Sequence, residues 1–147
     1  MILLNPGPVN VSERVRQALL RPDICHRESE FTELLLRIQG KLLKAFVPGA
    51  EADYAAVLIT GSGTAAVESA LMSAIPHGKR ALVLNNGVYG ERLSQMVGLH
   101  RLGVSELKYE WTTRPDPERL RLALRQHPEI HAVAMVHHET TTGLINP

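Results

Sequence analysis

The strongest constraint on this chain is a rhythm. Short apolar runs alternate with helical stretches, and several of the runs end in glycine or small polar residues. Ala56–Thr60 precedes Gly61-Ser62-Gly63, and Ala81–Leu84 precedes Asn85-Asn86-Gly87. Two further runs follow at Val104–Glu110 and about His131–Val136. Between them the spacing predicts helices from Thr64 to about Ile75, from about Gly90 to Leu102 with Leu93, Met96 and Val97 inward, and from Asp116-Pro117 to near His127-Pro128. Asp116-Pro117 is a helix start in itself, a side-chain acceptor followed by proline in the first helical position. The order β-α-β-α-β-α-β calls for a mostly parallel sheet flanked by helices, an α/β fold. Parallel neighbours need helical crossovers, and those crossovers cover both faces.

The first fifty residues follow another pattern. In Leu3-Leu4-Asn5-Pro6-Gly7-Pro8 the prolines fix φ and Gly7 loosens the backbone, so the segment reads as an extended arm. Ser12 offers an N-cap for a short helix through about Leu20, which Pro22 stops. From Glu30 to Phe46, the residues Phe31, Leu34, Leu35, Ile38, Leu42 and Phe46 form one stripe at helical spacing, expected to be buried. Lys41 and Lys44 fall on its wet face, and Pro48-Gly49 ends it. Residues 1–50 thus read as arm and helices, and 51–147 as alternating strand and helix. After Leu144-Ile145-Asn146-Pro147 a further helix or strand is expected, so the sequence reads there as cut, with a carboxyl-terminal remainder absent.

Composition narrows the function classes. A chain of 147 residues suits one domain, and 44% hydrophobic with 21% charged residues suits a packed globule. A net charge of +1 removes the electrostatic argument for nucleic acid or an anionic membrane surface. The single Cys25 excludes an internal disulfide and any metal site built on several cysteines. The start lacks a basic and apolar leader, and Ala55–Ile75 is too interrupted to span a bilayer. The expectation is a soluble, cytoplasmic protein. His26, His77, His100, His127 and His131 show no metal spacing, and His137-His138 read as adjacent in a strand, so their side chains point to opposite faces. No metal site is expected.

In an open parallel sheet, ligands bind beyond the carboxyl ends of the strands. That rule selects Gly61-Ser62-Gly63-Thr64, Asn85–Gly90 and His137–Gly143, with Trp111-Thr112-Thr113 a less informative fourth. The first loop puts two glycines and two hydroxyls at a helix start, where unpaired N–H groups and the helix dipole favour a phosphate. It equally suits a plain strand-to-helix turn. A P-loop is excluded because no lysine follows Gly63. The loose dinucleotide spacing Gly61-x-Gly63-x-x-Ala66 lacks its acidic partner, since the second run ends in Asn85-Asn86. Tyr89 could cover a flat cofactor or be an ordinary half-buried tyrosine. Glu139 with Thr140, Thr141 and Thr142 suits either hydrogen bonding to a polar ring substituent or a solvated turn. Ser62 lacks the elbow of a nucleophilic serine.

Taken together, Leu4-Asn5-Pro6-Gly7-Pro8, Thr60-Gly61-Ser62-Gly63-Thr64 with Glu68, Asn86-Gly87-Val88-Tyr89-Gly90 and Ala134–Gly143 resemble the amino half of the class V, fold type I aminotransferases, over essentially the whole chain. The resemblance implies the first half of a large cofactor domain that binds pyridoxal 5'-phosphate. Ser62, Gly63 and Thr64 would hold the phosphate. Tyr89 would stack on the pyridine ring, Thr140 would bond near its phenolic oxygen with Glu139 beside it, and Pro6, Gly7 and Pro8 would border the substrate pocket. The implied reaction is transamination between a small amine or amino acid, best 2-aminoethylphosphonate, and pyruvate or another 2-oxo acid. An alanine– or serine–glyoxylate type is the neighbouring alternative. The intact protein would be a homodimer.

The chain departs from that family in one respect. Transamination needs a lysine as Schiff-base anchor and an acid facing the pyridine nitrogen. In the family both lie beyond the Glu139–Gly143 loop. The four lysines here, Lys41, Lys44, Lys79 and Lys108, match neither position nor context. The 147 residues by themselves are expected to be inactive, so a non-catalytic pyridoxal-phosphate or phosphate-binding fragment stands as the alternative.

Overall fold

A computed structural model describes residues 2–147. It divides into two compact units, Met1–Thr60 and Gly61–Pro147.

The first unit contains α1 (Glu13–Ala18), α2 (Ser29–Phe46) and a 3-10 turn at Glu51–Asp53. Ser12 caps α1, its side chain accepting from Val15 N, as its placement predicts. Helix α2 spans the expected stretch, and Val47 N closes its last turn on the Leu43 carbonyl. Its apolar stripe, however, is not buried. Phe31, Leu34, Leu35 and Leu42 are half-covered, Ile38 is exposed and Phe46 is 79% exposed. Helical periodicity fixes which residues share a face. Burial needs an opposing apolar surface, and none of the described residues of this unit is buried. Lys41 and Lys44 are exposed as expected.

The segment Ala56–Thr60, expected as the first strand, joins neither sheet, and the Gln39 amide donates to its Ala56 carbonyl at 2.8 Å. Val57 and Ile59 are 76% and 79% exposed. Its β-branched residues favour extended backbone, but a strand exists only through a hydrogen-bonded neighbour.

The second unit contains the sheet. Helix α3 (Gly63–Ala74) leads to β1 (Arg80–Asn85), α4 (Val88–Leu99), β2 (Gly103–Lys108), α5 (Pro117–Gln126) and β3 (Ile130–Met135). The strands lie in the order β2-β1-β3, all parallel. The α/β class with a parallel sheet flanked by helices is therefore as expected, with three strands where four runs were counted. Central β1 is buried along Ala81–Asn85, which explains its unbroken apolar reading. Ala81, Val104 and Ala132 share the register on one face and pack with Ile75, Leu71, Val97 and Leu102 of the α3 and α4 segments. Leu84, Leu107 and Met135 share the other face, with Leu82, Leu120, Ala123 and Ile130. Leu93, Met96 and Val97 of α4 are buried, as predicted.

Beyond β3 the chain forms a small antiparallel hairpin, β4 (His138–Glu139) with β5 (Leu144–Ile145), where the sequence suggested a loop. Its turn closes by Gly143 N donating to the Glu139 carbonyl, with Gly143 at φ +73°, a conformation glycine adopts without strain.

Candidate functional site

The topology itself marks a position. From β1 the chain crosses to β2 on one side, then returns past β1 to β3 on the other. The loops leaving the adjacent strands β1 and β3 therefore lie side by side at the carboxyl end of the sheet, beside the switch in crossover direction, where open α/β sheets bind ligands. These are two of the segments the sequence selected, Asn85–Gly90 and His137–Gly143. The third, Gly61–Thr64, opens α3 without a preceding strand.

The β1 and β3 loops meet through buried polar groups. Glu139 is fully buried, and Oε2 of its carboxylate accepts the Tyr89 backbone N–H at 3.1 Å. Its other oxygen accepts from Thr141 Oγ1 at 2.5 Å and Thr141 N at 3.4 Å. Gly87 lies against this carboxylate. A Cβ there would stand 2.5 Å from Glu139 Cδ, so only glycine fits. Gly90 is held likewise, since a Cβ would come within 2.8 Å of Asn85 Oδ1.

A second tie lies beside the first. Asn86 and Asn146 exchange amide hydrogen bonds of 2.9 and 3.2 Å. Asn86 Nδ2 also donates to the Thr113 carbonyl, and Asn146 Nδ2 to the Val136 carbonyl. Both side chains are about 1% exposed, and this reciprocal pairing satisfies them. The loops after all three strands are thereby joined. Sequence reasoning missed this pair because its members stand sixty residues apart, and the only hint was an asparagine just past a strand end.

Tyr89 sits in the first turn of α4, which starts two residues earlier than its apolar spacing suggested. Its side chain is exposed enough to meet a ligand, and the Arg92 guanidinium stands 5.4 Å from the ring centroid. Arg92 was not among the expected residues, although its place three residues on along a helix was readable. Thr140 is half-buried in the hairpin turn next to Glu139.

Ser62, Gly63 and Thr64 are exposed at the start of α3. Ser62 is its N-cap, Oγ accepting from Ala65 N at 3.2 Å. Among the described residues the Gly63 and Thr64 N–H groups meet no partner, as the first donors of a helix do not. A Cβ on Gly63 would meet nothing within 4 Å, so the chain's own packing gives no reason for glycine there. No hydrogen bond among the described residues joins this turn to the β1 and β3 loops. Pro6, Gly7 and Pro8 are exposed in the first unit.

Other features adjoin these loops on the β2 side. An open cavity of about 580 Å³ beyond β2 is lined by Lys108, Tyr109, Glu110, Trp111, Thr113 and Arg119. Glu106, on the α4 face of β2, pairs with Lys108 at 3.1 Å. Burial works to raise its carboxyl, but the Ser94 hydroxyl dipole, the Lys108 ammonium and the Asn85 amide outweigh that and hold it below its ordinary value. Ser94 Oγ itself is buried and meets no partner at hydrogen-bonding geometry. His137 and His138, expected side by side in one strand, are not: β3 ends at Met135, His137 lies in a bend and His138 opens β4. Among the described residues no group of three or more His, Cys, Asp or Glu is placed to hold a metal, and no helix is long and apolar enough to cross a membrane.

Comparison with known proteins adds the family. No protein-family model matches the chain. It is 40% identical over 146 residues to a 2-aminoethylphosphonate–pyruvate transaminase of Syntrophobacter fumaroxidans, an alignment covering 99% of this chain and 38% of that protein. Among solved structures, a pyridoxamine–pyruvate aminotransferase from Mesorhizobium loti superposes with a TM-score of 0.88 at 29% identity, covering 100% of this chain and 36% of that one. An alanine–glyoxylate aminotransferase from Nostoc sp. gives 0.85 at 32% identity, covering 99% and 38%. The chain thus spans less than two fifths of the length of the relatives it matches. In sequence and fold it corresponds to the amino-terminal part of the class V aminotransferases.

Proposed function

With that correspondence as premise, we propose that these residues supply the amino-terminal part of the cofactor domain of a transaminase. The enzyme would move an amino group from a small amine, 2-aminoethylphosphonate before alanine or serine, to pyruvate or another 2-oxo acid. The observation that carries the reading is the junction of the β1 and β3 loops beside the switch in crossover direction, with the Tyr89 backbone tied to Glu139. The donor set fits pyridoxal 5'-phosphate. Two free N–H groups, the Ser62 and Thr64 hydroxyls and the space beside Gly63 suit a phosphate. The Tyr89 ring offers a flat face to the pyridine, and Thr140 a hydroxyl to a ring substituent. The cofactor, when bound, supplies the electron sink that transamination requires. This chain's part is to bind its phosphate, orient its ring and keep water from one face. The Pro6–Pro8 arm as a border of the substrate pocket and the homodimer rest on the resemblance, and the cytoplasmic location on the reading of the sequence.

A second reading has its own observation. None of the four lysines lies in the β1 or β3 loop. Lys41 and Lys44 are on α2, Lys79 precedes β1, and Lys108 ends β2 paired with Glu106. These residues by themselves would hold the cofactor without a covalent anchor. Absorbance titration of the purified chain with pyridoxal 5'-phosphate, followed by borohydride and mass analysis, tests both. The expected result is reversible binding, no reducible adduct, and weaker but measurable binding in Ser62→Ala and Tyr89→Ala. Reduction onto one lysine would overturn the second reading, and no binding at all would remove support from the first.

A further inference from the structure

Helix α4 begins without a side-chain cap of its own. Its N-cap is Gly87, which has no side chain to accept from the first turn. A carboxylate from another segment fills that place, Glu139 Oε2 accepting from Tyr89 N at 3.1 Å across fifty residues of chain. The arrangement is tight on every side. Thr141 donates to the other carboxylate oxygen, Gly87 packs its bare Cα against the carboxyl carbon, and no part of Glu139 reaches solvent. A negative group at a helix start is favoured by both the free donors and the dipole.

We infer that Glu139 is a positioning residue. Its buried carboxylate clamps the backbone of Tyr89 and so sets the ring that faces the cofactor, without touching the ligand itself. The inference rests on the reading of Tyr89 under Proposed function. It differs from that reading in giving Glu139 no ligand contact, because both oxygens are occupied and the side chain is enclosed. Arg92, on the same helix, holds its guanidinium 5.4 Å from the Tyr89 ring centroid.

The test uses the full chain with pyridoxal 5'-phosphate as the probe, in wild type, Glu139→Ala, Glu139→Gln, Tyr89→Ala and the double variant Glu139→Ala/Tyr89→Ala. In the free protein, amide hydrogen exchange at Tyr89 should quicken at least about tenfold in Glu139→Ala, the loss expected for a bond to a charged acceptor. Glu139→Gln keeps one acceptor and nearly the same volume, and should restore most of that protection. Affinity for the probe should fall about tenfold in Glu139→Ala, and adding Glu139→Ala to Tyr89→Ala should cost nothing further, the signature of one residue acting through another. Additive losses in the double variant, or unchanged Tyr89 exchange in both Glu139 variants, would overturn the inference. So would a loss in Glu139→Gln as large as in a folded Glu139→Ala, or wild-type affinity in Glu139→Ala. If the wild type fails to bind the probe, the reading of the site falls and the positioning role falls with it. Binding that is weakened in Tyr89→Ala but indifferent to Glu139 sinks the positioning role alone.

Discussion

The two units of this chain use the same materials to different ends. Residues 2–60 carry an 18-residue amphipathic helix and an apolar run, yet none of them is buried. Residues 61–147 use shorter elements, and Ala81, Val83 and Val97 are wholly enclosed. Apolar content does not separate them. What separates them is an opposing surface: β1 has a strand at each edge and helices over both faces, whereas the α2 stripe stays half-covered or open within its own unit. Periodicity dictates secondary structure, and burial requires a partner.

The largest effect that could break this contrast comes from truncating matched apolar side chains. Leu82→Ala should destabilise the second unit by about 2–5 kcal/mol, as a core truncation does, read by urea unfolding followed at the single Trp111. Ile38→Ala in the α2 stripe should stay within about 0.5 kcal/mol, like other exposed positions. Equal costs would mean that the stripe is buried in solution.

Two glycines sharpen the contrast between packing and ligand space inside the second unit. Gly87→Ala drives a methyl into the buried Glu139 carboxyl, with an expected cost of about 1–3 kcal/mol. Gly63→Ala meets nothing within 4 Å, so thermal stability should hardly move while affinity for pyridoxal 5'-phosphate drops. A smaller difference separates the two serine caps. Ser62→Ala should cost about 1 kcal/mol because α3 runs into the core at Ile75, a loss visible in global unfolding. Ser12→Ala should alter only local helix content, since α1 buries nothing.

The smallest effect is electrostatic. Glu106 is held below its ordinary value in the folded chain, so it binds a proton less readily there than when unfolded. Its contribution to stability is present above about pH 4.5 and is lost as the pH falls through its lower folded value. Glu106→Gln should therefore flatten the acid limb of the stability curve, measured by urea midpoints from pH 6 downward. Glu51, in the first unit, is also lowered, by hydrogen bonds from its own backbone and from Gly49 N. Glu51→Gln should therefore shift the acid limb of the first unit in the same direction, and by less because solvent screens it.

What was legible in the sequence follows from the same distinction. Local rules located α1 through Ser12, α5 through Asp116-Pro117, and the buried face of α4 through Leu93, Met96 and Val97. The three parallel strands emerged from apolar runs of the right length. Ala56–Thr60 read as a strand by the same rule and is none, because strandness belongs to a pair of segments and its sequence describes one. Within the candidate site, the loops at Tyr89 and Glu139 were found from strand ends. The bond between them, the Asn86–Asn146 exchange and the β4–β5 hairpin were not, since each depends on groups brought together from distant parts of the chain.

The strand order also governs how the molecule comes into being. Both neighbours of β1 follow it in the chain, β2 first and β3 last. A ribosome adding about 5–20 residues per second releases β1 with both edges bare, and completes the strand that closes the second edge only about 2–10 seconds later. During that interval Leu82-Val83-Leu84 is an open template for foreign strands. The central strand of the finished sheet is thus the most vulnerable segment of the nascent one, and the interval before β3 arrives is where a chaperone would matter most.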